Sequence, residues 1–306
     1  MNGPQHDDEL AELLKEVRRI DVQASRLVTG LMAGGYSSVF RGSGLEFEGV
    51  REYEEGDDPR SVDWNVTARV GRPFVKTFVT ERELTVLFLL DLSPSMAGGF
   101  GAYSARQAAA RICACLALAA IRNNDKVGLI AFGEQVLKFV PPKKGSGHVL
   151  RIVRDCLALP LGKGRTRIEP ALEYAVRIVR RRAILFLVSD FLTDGWRVPL
   201  SLCARRHDVI AVRILPPELS DPGVTGIMRL RDPESGAERV VNWGSRRERD
   251  AFLERVAAWR ERTENDLRRA RVDRMDVPIP KARDPEMVAR PILKFFRMRE
   301  ERGAKR

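Results

Sequence analysis

The chain has 306 residues, 44% hydrophobic and 31% charged, a globular composition at about twice the usual domain length, which excludes a disordered, collagen-like or membrane-embedded protein. Four cysteines, at 113, 115, 156 and 203, are too few for a disulfide scaffold; they read as small buried hydrophobes in a reducing compartment, and Cys113 and Cys115 face different sides of a helix, so they do not chelate together. The formal charge of +11 is unevenly placed: residues 1–83 carry 11 Lys/Arg against 16 Asp/Glu, and the remainder carries 42 against 26.

Leu10, Leu13, Leu14, Val17, Ile20, Leu27, Val28 and Leu31 recur at three- and four-residue steps, which predicts an amphipathic helix from about Asp8 to Met32, ended by Gly34 and Gly35. From Gly44 to Glu83 the texture turns acidic and aromatic, with turn signals at Gly56-Asp57-Asp58-Pro59 and Gly71-Arg72-Pro73 and strand material at Phe74, Val75, Phe78 and Val79. A small β-rich layer is expected there. From Leu84 onward apolar strands alternate with helices. Strands are expected at 84–92, 127–132, 136–140 (an antiparallel edge), 183–188, 209–215 and 272–277. Helices are expected at 104–122, 147–157, 168–181, 198–205, 245–270 and 287–299, and a hairpin near Ser235-Gly236. Together these give an α/β, doubly wound, mostly parallel sheet with helices on both faces, preceded by the N-terminal helix and the β-rich layer. The expected division is 1–35 for the helix, 36–83 for the layer and 84–306 for the α/β domain with its C-terminal helices. No apolar run reaches the ~20 residues that cross a bilayer, and the stretch to Glu16 is acidic, so a soluble cytoplasmic protein is expected.

Ligands of open α/β sheets bind beyond the carboxyl ends of the strands. The first strand of the α/β region delivers Asp91-Leu92-Ser93-Pro94-Ser95 there, the strand at 183–188 delivers Ser189-Asp190, and the loop before the 168–181 helix delivers Thr166. Three hydroxyls and two carboxylates form an all-oxygen set of the kind that hard cations such as Mg²⁺ or Mn²⁺ take. Two carboxylates balance a divalent charge, and neutral hydroxyls leave the ion able to accept one more anionic oxygen. The set also admits a site held by hydrogen bonds alone, or simple capping of the strand end by Asp91.

Asp91-x-Ser93-x-Ser95 at a strand end, Thr166 downstream and Asp190 at a later strand end resemble the metal-ion-dependent adhesion site of von Willebrand factor A domains. That resemblance implies Ser93, Ser95 and Thr166 as direct ligands, Asp91 and Asp190 acting largely through water, and a partner's carboxylate completing the shell. A second resemblance is more specific. The run GLEFEGVREYEEGDDPRSVDWN from Gly44 to Asn65, then Thr67-Ala68-Arg69 and Val75 to Glu83, is similar to the signature of a bacterial domain-of-unknown-function family, number fifty-eight, which places it just before a von Willebrand A-like domain. The match is good from about Gly44 to Leu215 and loose beyond. It implies a protein partner, a MoxR-type AAA+ ATPase or its client, in complex assembly or maturation. Many relatives carry N-terminal membrane helices, where this chain has an amphipathic one. Arg167, beside Thr166, departs from the adhesion-site pattern: pointing inward it would compete with the cation, pointing outward it would help clamp an incoming carboxylate, and Arg165 raises the same question.

Other chemistries find less support. A haloacid-dehalogenase-type phosphatase needs a second Asp as general acid where Ser93 stands. Gly98-Gly99-Phe100-Gly101 lacks the third glycine of a dinucleotide loop, and Lys163 is not followed by Ser or Thr as in a P-loop. A metal-dependent phosphoester hydrolase therefore ranks last. His6, His148 and His207 form no triad or HExxH motif, and the latter two read as surface residues flanking helices. The Arg-rich remainder makes a nucleic-acid binder the alternative to a non-enzymatic interaction module, but the cations are spread over several helices without a recognition motif. The acidic residues Glu52, Glu54, Glu55, Asp57 and Asp58 are expected to pair with Arg51, Arg60 and Arg69, with Trp64 buried at the junction of layer and domain.

Overall fold

The computed structural model describes residues 15, 17–20, 22, 24–25, 46–79, 83–99, 101–221, 223, 226–284 and 286–304. Residues 17–20, 24 and 25 are helical, with Val17, Ile20 and Ala24 buried in the core; most of the N-terminal helix expected over 8–32 lies outside the described residues. The acidic signature forms β1 (Glu46–Glu52), α1 (Trp64–Val70) and β2 (Phe74–Val79), with β1 and β2 paired antiparallel. α1 is a helix that periodicity does not announce. Its β-branched residues are poor helix formers, but its ends are specified: Asp63 Oδ1 accepts the N–H groups of Asn65 (3.0 Å) and Val66 (3.3 Å), and Gly71 closes it at φ +77°.

The main sheet has six strands: β3 (Thr85–Asp91), β4 (Lys126–Phe132), β5 (Val136–Lys143), β6 (Ile184–Ser189), β7 (Asp208–Leu215) and β10 (Asp273–Pro278), in the order β10-β7-β6-β3-β4-β5. All neighbours are parallel except β4–β5, so the antiparallel edge expected from the short turn at Gly133 is present. β8 (Ile227–Arg231) and β9 (Glu238–Asn242) form a separate antiparallel hairpin after β7.

The strands alternate Val86, Phe88 and Leu90 onto one face and Leu87 and Leu89 onto the other, and each face is covered. On the first lie α2 (Ala105–Arg122), α3 (Ser146–Ala158), α7 (Ala289–Ala304) and residues of the N-terminal helix; on the second lie α4 (Glu169–Ile178), α5 (Arg197–Arg206) and α6 (Arg246–Arg269). α2 is buried nearly all round, as its unbroken run of Ala, Cys, Ile and Leu requires. It starts at a capping box in which Ser104 and Gln107 each accept the other's backbone N–H at 3.2 Å. All four cysteines are free and buried. Among the described residues no helix is long and apolar enough to cross a membrane.

Several arginines of the basic remainder are engaged. Arg213, 1% exposed, makes paired bonds to Asp276 (2.9 and 3.0 Å) and lies 5.4 Å from the Trp259 ring centre. Arg299 on α7 clasps Asp208 (2.7 and 2.6 Å) and Asp273 (2.8 Å), and Arg197 faces Asp266. In the acidic layer, Arg51 pairs with Asp57 (2.7 and 2.6 Å), and Arg72, rather than Arg60 or Arg69, faces Glu52. Asp58 caps a short turn by accepting the Arg60 N–H. Trp64, expected in a junction, is 72% exposed at the first position of α1.

Candidate metal centre

β3 and β6 are neighbours at the middle of the sheet. The chain leaves β3 to build β4 on one side and leaves β6 to build β7 on the other, so the strand order reverses between them, the position at whose carboxyl end open α/β sheets bind ligands. Asp91 ends β3 and Ser189 ends β6, followed at once by Asp190.

These residues form two runs of hydrogen bonds. In the first, Asp91 Oδ1 accepts the Ser93 N–H (2.8 Å), Oδ2 accepts the Ser189 hydroxyl (2.6 Å), and Ser189 Oγ in turn accepts the Phe191 N–H (3.1 Å). In the second, the Ser93 and Ser95 oxygens lie 3.0 Å apart, Ser95 donates to Asp190 Oδ2 (2.8 Å), and Asp190 Oδ1 accepts the Leu192 N–H (2.9 Å). A serine has one proton to give. Since Ser95 gives its proton to Asp190, Ser93 is the donor between the two hydroxyls.

Local sequence sets this geometry. Pro94 opens a short 3-10 turn, Pro94–Ala97, with Ser93 extended in front of it, and the turn carries Ser95 back over the strand end. Phe191 adopts φ +59°, a left-handed conformation that costs a bulky residue on the order of 1–3 kcal/mol. It is held there by its fully buried ring against Trp196 (5.4 Å between centres, edge-on) and by its carbonyl, which accepts the Trp259 indole N–H at 3.0 Å. The bend turns Asp190 toward Ser95.

Thr166 reaches the same end of the sheet on a separate loop. A Cβ at either Gly133 or Gly162 would stand 3.2 Å from the other's Cα, a close approach of two backbones that favours glycine at both positions. Gly162 N–H donates to Leu92 O (2.7 Å) and Arg167 N–H to Gly133 O (3.0 Å), while the Thr193 hydroxyl donates to Thr166 O (2.8 Å) and ties this loop to the one carrying Asp190. Thr166 is buried. Its own N–H donates to Glu234 Oε2 (3.1 Å) and its hydroxyl to Glu234 Oε1, so its proton points to Glu234. Sequence reasoning missed both Glu234 and the role of Ser189. Ser189 was visible only as the last residue of a strand, and Glu234 as one acid in an expected hairpin turn.

The site is electrostatically loaded. Burial, with the Asp190 charge beside it, pushes Asp91 up to about 7 against the opposing Ser189 and Ser93 donors. Burial also raises Asp190, against the donors Leu192 and Ser95, and the charge of Glu234 adds to the rise. Arg165 and Arg167 are exposed. Asp232 is held low by the Ser235 hydroxyl and the Glu234 N–H, with Arg165 contributing, so the Arg165 charge is felt at the hairpin turn. Two buried like charges flanked by neutral hydroxyls are the donor chemistry that suits a hard divalent cation. Among the described residues no three His, Cys, Asp or Glu side chains cluster as ligands, so a nitrogen- or sulfur-rich centre has no candidate there.

The histidines lie elsewhere. His148 Nε2 is 3.0 Å from Val127 O near the start of β4, and His207 precedes β7, both at the amino end of the sheet; His6 lies outside the described residues. His207, expected at the surface, is 3% exposed. Asp63 caps α1 and faces Lys76 at 3.8 Å.

The family model described as "Protein of unknown function DUF58" matches residues 49–262. Uncharacterized proteins of Mycobacterium bovis and Mycobacterium tuberculosis are each 28% identical over 242 residues, 78% of this chain and 75% of theirs. Among solved structures, the conserved hypothetical protein BatB from Bacteroides thetaiotaomicron aligns with a TM-score of 0.42 at 17% identity, covering 69% of this chain and 98% of that one. The SpRpn10 VWA domain aligns with a TM-score of 0.37 at 12% identity, covering 70% and 95%. Both structural likenesses are loose, whereas the family model spans more than half of the sequence: the chain belongs to the DUF58 family of proteins of unknown function.

Proposed function

We propose that the chain is a non-enzymatic protein-interaction module that captures an acidic side chain of a protein partner through a divalent cation, Mg²⁺ or Mn²⁺, held by Asp91, Ser93, Ser95, Thr166 and Asp190. A MoxR-type AAA+ ATPase or its client is the proposed partner class, on the strength of the signature at 44–83. One observation carries the reading: two carboxylates buried side by side, each fixed by hydroxyl and backbone donors, at the reversal point of the sheet. The chemistry such an ion supplies is neutralisation of both carboxylates and attraction for an incoming carboxylate oxygen. The chain's part is to fix Asp91 through Ser189, to aim Asp190 through the bend at Phe191, and to offer uncharged oxygens from Ser93, Ser95 and Thr166. With His148 and His207 at the opposite end of the sheet, neither supplies a base at this site. Arg197, Arg274 and Arg299 are held in ion pairs, which leaves fewer cations for the alternative, a nucleic-acid binder.

Calorimetry with Mg²⁺ and Mn²⁺ tests this. Asp91→Ala is expected to weaken binding about tenfold or more, with thermal melts of both proteins as the folding control. Tagged protein is expected to retain its partner in Mg²⁺ buffer and release it to EDTA. Equal metal binding by both proteins, or partner capture indifferent to chelator, contradicts the reading.

A further inference from the structure

The β8–β9 hairpin is poorly anchored for an ordered element. Its strands are mostly exposed, with Ile227 at 74% and Val240 at 61% exposure. At its base Trp243 packs edge-on against Phe252, 5.2 Å between ring centres, and the Asn242 N–H donates to Glu248 (2.9 Å). At its tip every residue from 231 to 240 is exposed except Glu234. The turn is built to present that side chain. Asp232 accepts the Glu234 N–H (3.0 Å) and the Ser235 hydroxyl, and Gly236 closes the turn at φ +72°. The carboxylate takes both donors of the buried Thr166, and its charge reaches Asp190.

We infer that Glu234 is the site's built-in acidic ligand: the hairpin lays its own carboxylate on Thr166, where an outside acid would dock, and closes the centre from within the same chain. This rests on the cation-site reading above. Glu234 sits on Thr166 with its charge felt at Asp190, so a divalent cation at the site and the closed hairpin stabilise one another. Such coupling is reciprocal: the ion protects the hairpin by the same factor by which the hairpin tightens the ion. An outside acidic group then has to displace Glu234, and the exposed, weakly anchored strands make that displacement a motion of the hairpin alone.

The test uses the full chain and Mn²⁺ as probe, with hydrogen exchange over residues 227–242 and calorimetry on wild type, Asp91→Ala and Glu234→Gln. Glu234→Gln keeps the side chain's shape at a turn outside the core, so folding is not at stake. Expected results are slower hairpin exchange in wild type with Mn²⁺, no such response in either variant, and Mn²⁺ binding by Glu234→Gln weaker by about tenfold. If Asp91→Ala loses Mn²⁺ while Glu234→Gln binds it as tightly as wild type or more tightly, or if the wild-type hairpin ignores the ion, the built-in ligand is overturned and the cation site stands. If wild type takes up no Mn²⁺, or Asp91→Ala binds it equally, both fall.

Discussion

The two oxygens of Asp91 are given separate tasks: Oδ1 takes the Ser93 backbone and so shapes the turn that carries Ser95, while Oδ2 takes the Ser189 hydroxyl and so couples β3 to β6. Ser189→Ala removes the second contact and leaves a buried carboxylate oxygen without its donor. The expected cost is about 1–3 kcal/mol of stability, together with Mn²⁺ binding about tenfold weaker, because a residue that orients a ligand is worth nearly as much as the ligand. Calorimetry and a urea melt read both; unchanged metal affinity would show that Ser189 is a bystander. Asp91, Ser93 and Ser95 were legible in the sequence because they share one strand end. Asp190 and Thr166 were placed at the same end of the sheet by the rule that ligands bind beyond the carboxyl ends of the strands, and the resemblance added their roles. Glu234 was not legible at all: its role follows from where a hairpin folds, and an acid in a turn is unremarkable. Trp64 was misread because aromatic residues within a signature suggest burial, whereas the first position of a short capped helix left its ring in solvent.

At the level of elements, local patterns were strong where burial was complete. The all-apolar strands and α2 announce themselves, because an element buried on every side has no polar positions to blur its limits. α1 escaped because caps, not periodicity, define it. The junction of α5 with β7 hides a further feature, since the short turn there carries His207 into the interior. Among the described residues neither ring nitrogen has a hydrogen-bond partner, and burial, with the charges of Arg206 and Arg182, lowers its pKa from the usual 6.5. Below that value the unfolded chain takes up a proton at this position that the folded chain refuses. This residue's contribution to stability is therefore full above pH 6.5 and falls as the pH drops through it. The urea midpoint of wild type is expected to fall more steeply between about pH 7.5 and 5.5 than that of His207→Leu. Parallel slopes would mean that the ring is as easily protonated folded as unfolded.

Across the whole molecule, the doubly wound α/β sheet expected from the alternation of strands and helices is the one observed, with β10 closing the far edge beside β7. That placement depends on the crossover through α6 and is invisible in a six-residue strand. The charge asymmetry reads differently from its sum: the acidic layer satisfies part of its own charge through Arg51 and Arg72, and Glu83 takes Lys126 and Lys144 at the start of the sheet. What the architecture delivers is a sheet end where three separate stretches of chain bring hydroxyls and carboxylates. The most direct measurement is anomalous diffraction from crystals of the full chain grown with Mn²⁺. The account predicts a single strong peak enclosed by Asp91, Ser93, Ser95, Thr166 and Asp190, with Glu234 beside it. Crystals that bind Mn²⁺ at other positions while that enclosure shows no anomalous density would contradict it.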